Sequence, residues 1–591
     1  MTDTLATPTT SPAVRPAIPL PATAARAITL TGGVLTAVSA FLSWTYSSDF
    51  PGDLTVTGYP GGLQWLTFAA GLLVAGGAAA GLALGGKPVL RGRADGATVI
   101  LALGALATTW YTLIAIAAEL GGLANLTAGG WIAGIATVIA LIGALGLPRD
   151  SAPEGNAVQR VLRYPGSRPA VHAKSLPAPV EWLLVVVLLV VALALFTYGI
   201  DTSYGELFVG FLIVVAFGIW ALNRSGIGTL IRDLISRHRA LAAIGAFVAA
   251  AIFPFTQSND ANATLGVNIL IFGATALGLN VVVGLAGLLD LGYVAFLGVG
   301  AYTAALVSGA ATSSIHVQFP FWAAALTGAA VSGIAGVLLG APTLRVRGDY
   351  LAIVTLGFGE IFRIVVQNLD GTSGPKITNG PDGIVNIPDL NILGFDMGKA
   401  HDIGGITLGR FANYFELMLV IMAIIVLVFS RSANSRIGRA WIAIREDEIA
   451  ATAMGINGFR FKLLAFALGA TLAGLAGSVM AHVNFSVVPD PFVFAGSTPP
   501  NSAFLLAAVV IGGMGTVAGP IVGASLFYLL QAKLTFLQSN QLLFFGLALI
   551  LFMRFRPEGI IASRRRQLEF HETEALPNET VGPDALSKTG A

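Results

Sequence analysis

An all-α polytopic membrane protein is the fold class this sequence predicts, on three observations. Hydrophobic residues make up 55% of the chain and charged residues 11%, where soluble domains carry about 25% charged. Apolar runs of about twenty residues, enough to cross a hydrocarbon core about 30 Å thick, occupy most of the chain from Ile28 to Met553. These runs are continuously apolar and do not alternate, which selects helices over a barrel. The net charge of +2 carries little information, because the placement of Lys and Arg decides topology. The absence of cysteine excludes disulfides and thiolate metal sites.

Taken in order, residues 1–25 are rich in Thr, Pro and Ala and lack a continuous apolar core, so a disordered cytoplasmic tail is expected and not a cleavable signal. Ile28–Tyr46 and Leu63–Gly85 form a first pair of spans, joined by a loop holding Asp49 and Asp53. The next connection carries Lys87, Arg91 and Arg93, which places it and the N-terminus in the cytoplasm. Thr98–Ala118 and Trp131–Leu147 complete a four-helix membrane extension over 26–147. The Pro-rich stretch 148–181, with Arg149, Arg160, Arg163, Arg168 and Lys174, reads as a cytoplasmic linker and the clearest domain boundary. An additional helix pair follows over 182–240, namely Trp182–Tyr198 and Leu207–Leu222, closed by Arg224, Arg232, Arg237 and Arg239.

A denser core is expected over 241–565. Its runs are Leu241–Phe255, Leu265–Leu285, Leu291–Val307, Phe321–Leu339, Tyr350–Gln367, Tyr414–Ser430, Phe461–Val483, Ala503–Met514, Pro520–Leu534 and Leu542–Met553. Sixteen crossings result if the two pieces around Gly512–Gly519 are separate, and fewer if they form one broken or re-entrant element. An even count returns Arg554, Arg556 and Arg564–Arg566 to the cytoplasm, ahead of a polar tail over 566–591.

One charged stretch interrupts the core. Ser435–Gly458 holds Arg445, Glu446, Asp447 and Glu448 in succession, too costly to bury in lipid at roughly 2.5–3.5 kcal/mol for each central charge. Ala440–Met454 contains neither Pro nor Gly and stops at Gly455, which predicts one short helix lying across the inner face. Trp441, Ile442 and Ile449 then supply apolar contacts and the charges face water or a partner; the plainer reading is a solvated linker. On the opposite side lies Asn368–Ala412, whose Gly, Pro, Asn and Asp content spells turns and whose length suggests a docking loop.

Other motifs resolve against chemistry. Gly81-x4-Gly86-Lys87 imitates a nucleotide-binding loop, but Pro88 stands where magnesium needs a hydroxyl and no strand precedes it, so Lys87 reads as a snorkelling lysine. No catalytic or metal-binding spacing occurs, and His172, His238, His316, His401, His482 and His571 are scattered; neither an enzyme nor a cofactor is expected. Glu360 lies midway along its span with Arg363 one turn later, either as a polar lining of a translocation path or as a self-paired structural charge. Asp290 and Glu119 are the other acids near the membrane. Glycines at Gly284, Gly287, Gly292, Gly298 and Gly300 read as helix-packing positions. Those of Gly357–Glu360 are expected to loosen a helix in mid-membrane and free its backbone for a ligand.

Five blocks, Gly284–Leu306, Leu344–Asn368, Gly380–Ile384, Gly438–Asn457 and Gly512–Pro520, together resemble the LivM-type permeases of branched-chain amino-acid ABC importers, over about Leu265 to Ile561. The resemblance implies a bacterial inner-membrane permease subunit, both termini cytoplasmic, with extra N-terminal helices. It implies as partners a sister permease, two cytoplasmic ATP-binding subunits and an extracytoplasmic substrate-binding protein, with lipid around them and no nucleic acid. Arg439, Trp441, Arg445, Glu446, Asp447, Glu448 and Gly455 match the helix that couples to the ATPase. Tyr293, Phe296, Tyr302, Gly357, Phe358, Gly359 and Glu360 match blocks near the substrate path. Asn368–Ala412 and Asn484–Asn501 would receive the binding protein. Leucine, isoleucine and valine are the implied substrates, with urea or short amides as the alternative within the family and a self-sufficient secondary transporter as the alternative outside it.

Overall fold

The computed structural model describes residues 16–45, 61–83, 94–119, 122–147, 177–202, 204–257, 259–343, 349–392, 394–403, 406–496, 499–534, 540–555 and 558–561. The tail before residue 16, the connection with Lys87 and Pro88, the linker over 148–176 and the tail over 566–591 lie outside the described residues. Among the described residues there are nineteen α-helices, and eleven helices are long and apolar enough to cross a membrane. The chain is a polytopic all-α membrane protein. It divides into two compact units, Met1–Ala250 and Ala251–Ala591.

The first unit is built on α1 (Ala22–Ser39), α2 (Gly61–Ala83), α3 (Ala94–Glu119) and α4 (Ala128–Leu145). Small residues set the antiparallel crossings. A methyl added at Gly33 would lie 2.8 Å from the Ala75 nitrogen, and one at Gly71 2.7 Å from that of Ala37. Gly143 makes the same close approach to Thr29. Where the bundle would otherwise bury lone charges, Arg26 and Asp95 pair across helices, Nη2 to Oδ2 at 2.8 Å. After it come α5 (Ala178–Asp201), α6 (Gly205–Arg224), α7 (Ile227–Arg237) and α8 (Arg239–Ile252).

The second unit comprises α9 (Asp260–Asn280), α10 (Val294–Val307), α11 (Phe321–Thr343), α12 (Asp349–Asn368), α13 (Arg410–Asn434), α14 (Arg436–Glu446), α15 (Glu448–Ala453), α16 (Gly458–Val483), α17 (Ser502–Gly512), α18 (Ala518–Lys533) and α19 (Gln541–Phe555). The central helix is α16, crossed closely by α9, α10 and α11. Its glycines permit that approach, since side chains at Gly474 and Gly477 would strike Ser332 and the Leu297 carbonyl. Hydroxyls then bind the crossings. The Tyr293 hydroxyl donates to the Gly469 carbonyl at 2.6 Å, and that of Ser332 lies 2.7 Å from the Ala470 carbonyl.

Two places depart from regular helix. At its end α9 widens into a π-turn over Val281–Leu285. The pieces α17 and α18 fold back on each other as an antiparallel hairpin, Gly523 against Ala508 and Gly512 against Gly519. Eleven residues of helix reach about 16 Å, half a hydrocarbon core, so α17 alone does not cross.

Candidate functional site

The charged stretch is two helices, not the single one expected. Asp447 breaks it, because its Oδ1 accepts from the Ile449 and Ala450 N–H groups at 2.8 and 3.0 Å and so caps α15. Ser435 caps α14 in the same way, and Gly455 ends α15 at a φ of 86°. Trp441 turns inward: it is buried, and its indole N–H donates to the Phe461 carbonyl at 2.7 Å. It anchors the element and has no surface left for a docked protein. Ile449 and Met454, by contrast, are 82% and 85% exposed, the two most exposed large apolar side chains among the described residues. Met454 was missed because one methionine in a polar stretch carries no periodic signal. Arg439 is exposed, and Glu448 bonds Lys462 of α16 at 2.6 Å.

Arg445 joins this element to the bundle. Its Nη1 donates to the Gly284 carbonyl at 2.8 Å while Glu446 pairs with its Nη2 at 2.6 Å. The arginine stem lies across Gly287, whose φ of 73° and lack of room both require glycine. From the other side of the π-turn the Asn280 amide reaches the α17–α18 hairpin. It accepts from the Gly515 N–H and donates to the Thr516 carbonyl, each at 2.8 Å. Three backbone groups of two irregular segments are thus held by two side chains. Asn280 sits inside an apolar run, and its spacing alone gave no hint of this role.

The residues placed along the expected path come together on α10 and α12. Phe296 and Phe358 rings lie 5.5 Å apart, and Gly292 approaches Gly359 closely. Tyr302 packs against Phe362 and Phe492 at 6.2 and 6.1 Å, two aromatics that sequence reasoning did not single out. Tyr293, Phe296 and Tyr302 are buried. The expected loosening at Gly357–Glu360 does not occur, for α12 runs unbroken from Asp349 to Asn368. Gly359 is used for a close crossing, and Gly357 has no atom within 4 Å of an added methyl. Backbone irregularity lies instead at Val281–Leu285 and at the hairpin.

Along α12 one face is bare. Tyr350, Ile353, Val354, Ile361, Ile364 and Val365 are exposed at helical spacing. Beside them Arg363 bonds Glu360 through Nε at 3.0 Å and Gln367 through Nη1 at 3.1 Å. Both charges are self-paired and still partly open, 26% and 36% exposed. A charged pair in the middle of a membrane helix calls for protein or water beside it, not lipid.

At the far end of the unit the connection before α13 is ordered by short strands. β1 (Ile384–Val385) pairs antiparallel with β6 (Ser486–Val487), and β2 (Asn391–Ile392) with β3 (Phe395–Asp396), while β4 (His401–Ile403) and β5 (Ile406–Leu408) form a hairpin. The Ser373 and Thr372 N–H groups hold the Asp370 carboxyl below its ordinary range. A cavity of about 280 Å³ opens here beside Asp389 and His482, and none of the expected path residues lines it.

Residues 261–553 match the family of branched-chain amino acid transport system permease components. The chain is 39% identical over 342 residues to the high-affinity branched-chain amino acid transport system permease protein LivM of Salmonella typhimurium, covering 56% of this chain and 76% of that protein. Against LivM of Escherichia coli the identity is again 39%, over 55% of this chain and 76% of the relative. The permease protein LivH of Escherichia coli is 33% identical over 130 residues, 22% of this chain and 40% of that one. No solved structure matches the chain. With three quarters of LivM covered at that identity, the chain belongs to the family of branched-chain amino acid transport system permeases.

Proposed function

We propose that the chain is one permease subunit of an ATP-driven importer that carries branched-chain amino acids inward by alternating access. It works beside a sister permease, two cytoplasmic ATP-binding subunits and an extracytoplasmic binding protein, in the bacterial inner membrane with both termini cytoplasmic. The observation that carries this reading is the exposed pair Ile449, on α15, and Met454, at its C-terminal cap, apolar side chains left uncovered beside an anchored flank. Such side chains fit a groove on a partner. Closure of the ATP-binding subunits then moves α14 and α15, and Arg445 passes the motion to the π-turn of α9.

The bare face of α12 supports the second half of the reading. The sister permease covers Ile353, Gly357 and Ile361, and Glu360 faces the space between the two permeases through which the substrate passes, while Phe358 packs back on Phe296. A branched side chain suits the Phe and Leu surfaces, and the zwitterion needs a few polar groups among them. The double substitution Ile449→Asp/Met454→Asp should cut uptake by about tenfold or more and release the ATP-binding subunits on purification, with an unchanged melting temperature. Full uptake by that variant would remove the docking role. Ion-driven uptake by proteoliposomes holding this chain alone would favour a self-sufficient transporter instead.

A further inference from the structure

We propose that α7 is an in-plane membrane anchor that sinks its apolar side into one leaflet and holds anionic phospholipid headgroups with Arg232 and Arg239. The inference concerns the first unit and does not depend on the transport reading.

Its sequence pattern is the starting point. Ile227, Leu230, Ile231, Leu234 and Ile235 follow i, i+3, i+4, i+7, i+8 and occupy one side of α7, with Thr229, Arg232, Asp233 and Ser236 opposite. In a water-soluble protein that apolar side would be buried. Here none of the helix's residues is fully buried: Ile227, Leu230, Ile231 and Leu234 are only partly covered and Ile235 is 43% exposed.

Its ties to its neighbours fix how it runs. Short connections join α7 to α6 and α8, both long and apolar enough to span, and Gly226, at a φ of 80°, turns the chain. One end follows the close of α6 through Ser225 and Gly226 alone, and from mid-helix Arg232 donates back to the Asn223 side chain at 3.1 Å. At the other, Arg237 and His238 both reach Glu181 near the start of α5, at 2.9 and 2.7 Å. Because α5 and α6 are consecutive helices joined by residues 202–204, the start of one and the end of the other lie at the same membrane face. A helix of about 16 Å strung between those two points lies along that face.

There its two sides meet what they need. The apolar arc borders acyl chains, and the arginines stand at headgroup level. Arg237 is occupied by Glu181, whereas Arg239 is exposed and Arg232, also exposed, has its Nε and Nη2 on the Gly228 carbonyl and the Asn223 side chain and keeps Nη1 to offer beside Arg239 to phosphate oxygens.

Because the chain contains no cysteine, single labels test the placement directly. Full-length protein carrying bimane at Ile235→Cys or Asp233→Cys is placed in phosphatidylcholine nanodiscs. The Ile235 label should be quenched by doxyl-labelled lipid and spared by iodide, and the Asp233 label should show the reverse. In discs with phosphatidylglycerol, wild-type protein should enrich that lipid, R232Q/R239Q should lose about fivefold per arginine, and R232K/R239K should keep most of it. Equal inorganic phosphate should not displace the lipid; displacement would overturn the lipid as ligand in favour of a free anion. Iodide reaching Ile235 would overturn the proposal. So would shielding of Ile235 from both quenchers, which marks protein cover, or equal retention of the two lipids.

Discussion

The two units meet the membrane's demand for internal hydrogen bonding in different ways. In the first, α1 to α4 are continuous helices, and the one deeply buried charge pair among its described residues, Arg26–Asp95, closes on itself. In the second, α9 ends in a π-turn, α17 and α18 fold back after half a span, and Gly287, Gly513 and Gly515 take positive φ. The freed backbone groups are held there by Arg445 and Asn280. Regular helices resist rearrangement, whereas a break held by side chains has a second arrangement within reach. The match to the permease family, residues 261–553, falls in the unit with the breaks.

The comparison is most sharply tested at its rigid points. Gly477→Leu should have the largest effect, because no side chain fits between α16 and the Leu297 carbonyl. A loss upward of about 4 kcal/mol is expected, read as failure to recover monodisperse protein. Recovery at wild-type yield would mean that this crossing is not a fixed point of the second unit. Next comes Asp95→Ala, which strands Arg26 and should cost about 3–5 kcal/mol of the first unit's stability by denaturant titration. Replacing both partners with apolar residues should restore most of it. If the double variant is no better than the single one, the pair is not what holds those helices.

Much of this was legible in the sequence. Among the described residues each of the sixteen apolar runs overlaps a helix, because a continuous apolar run satisfies its backbone in lipid that way, but eleven and not sixteen are long and apolar enough to cross. What could not be read was the use of each glycine. Gly357 and Gly359 sit beside a charge and suggest a loosened helix, yet α12 is regular, since Gly359 meets Gly292 and a packing contact holds it straight. Gly287 looks like one more packing position and is instead a turn that only Arg445, 158 positions later, explains. Of the candidate site, the polar element after α13 was visible from its charges. The break at Asp447, the inward turn of Trp441 and the exposure of Met454 depend on local capping and on contacts across the fold. In each case the missing information is the identity of a distant neighbour.

The smallest effect separates a held break from a fixed crossing. Asn280→Leu keeps the γ-branched shape of the side chain and removes both hydrogen bonds, leaving the Gly515 N–H and the Thr516 carbonyl unpaired. Each unpaired group costs about 1–3 kcal/mol when buried, but the hairpin turn can open and let water take over part of that duty. The drop in overall stability should therefore be smaller than for Asp95→Ala, with the loss concentrated at the turn. A cysteine placed at Thr516 should label with maleimide several times faster in the Asn280→Leu background than in the native one. If labelling is unchanged and the whole chain instead melts as far below wild type as Asp95→Ala does, then Asn280 is a structural lock like Arg26–Asp95. The second unit would then be no more poised to rearrange than the first.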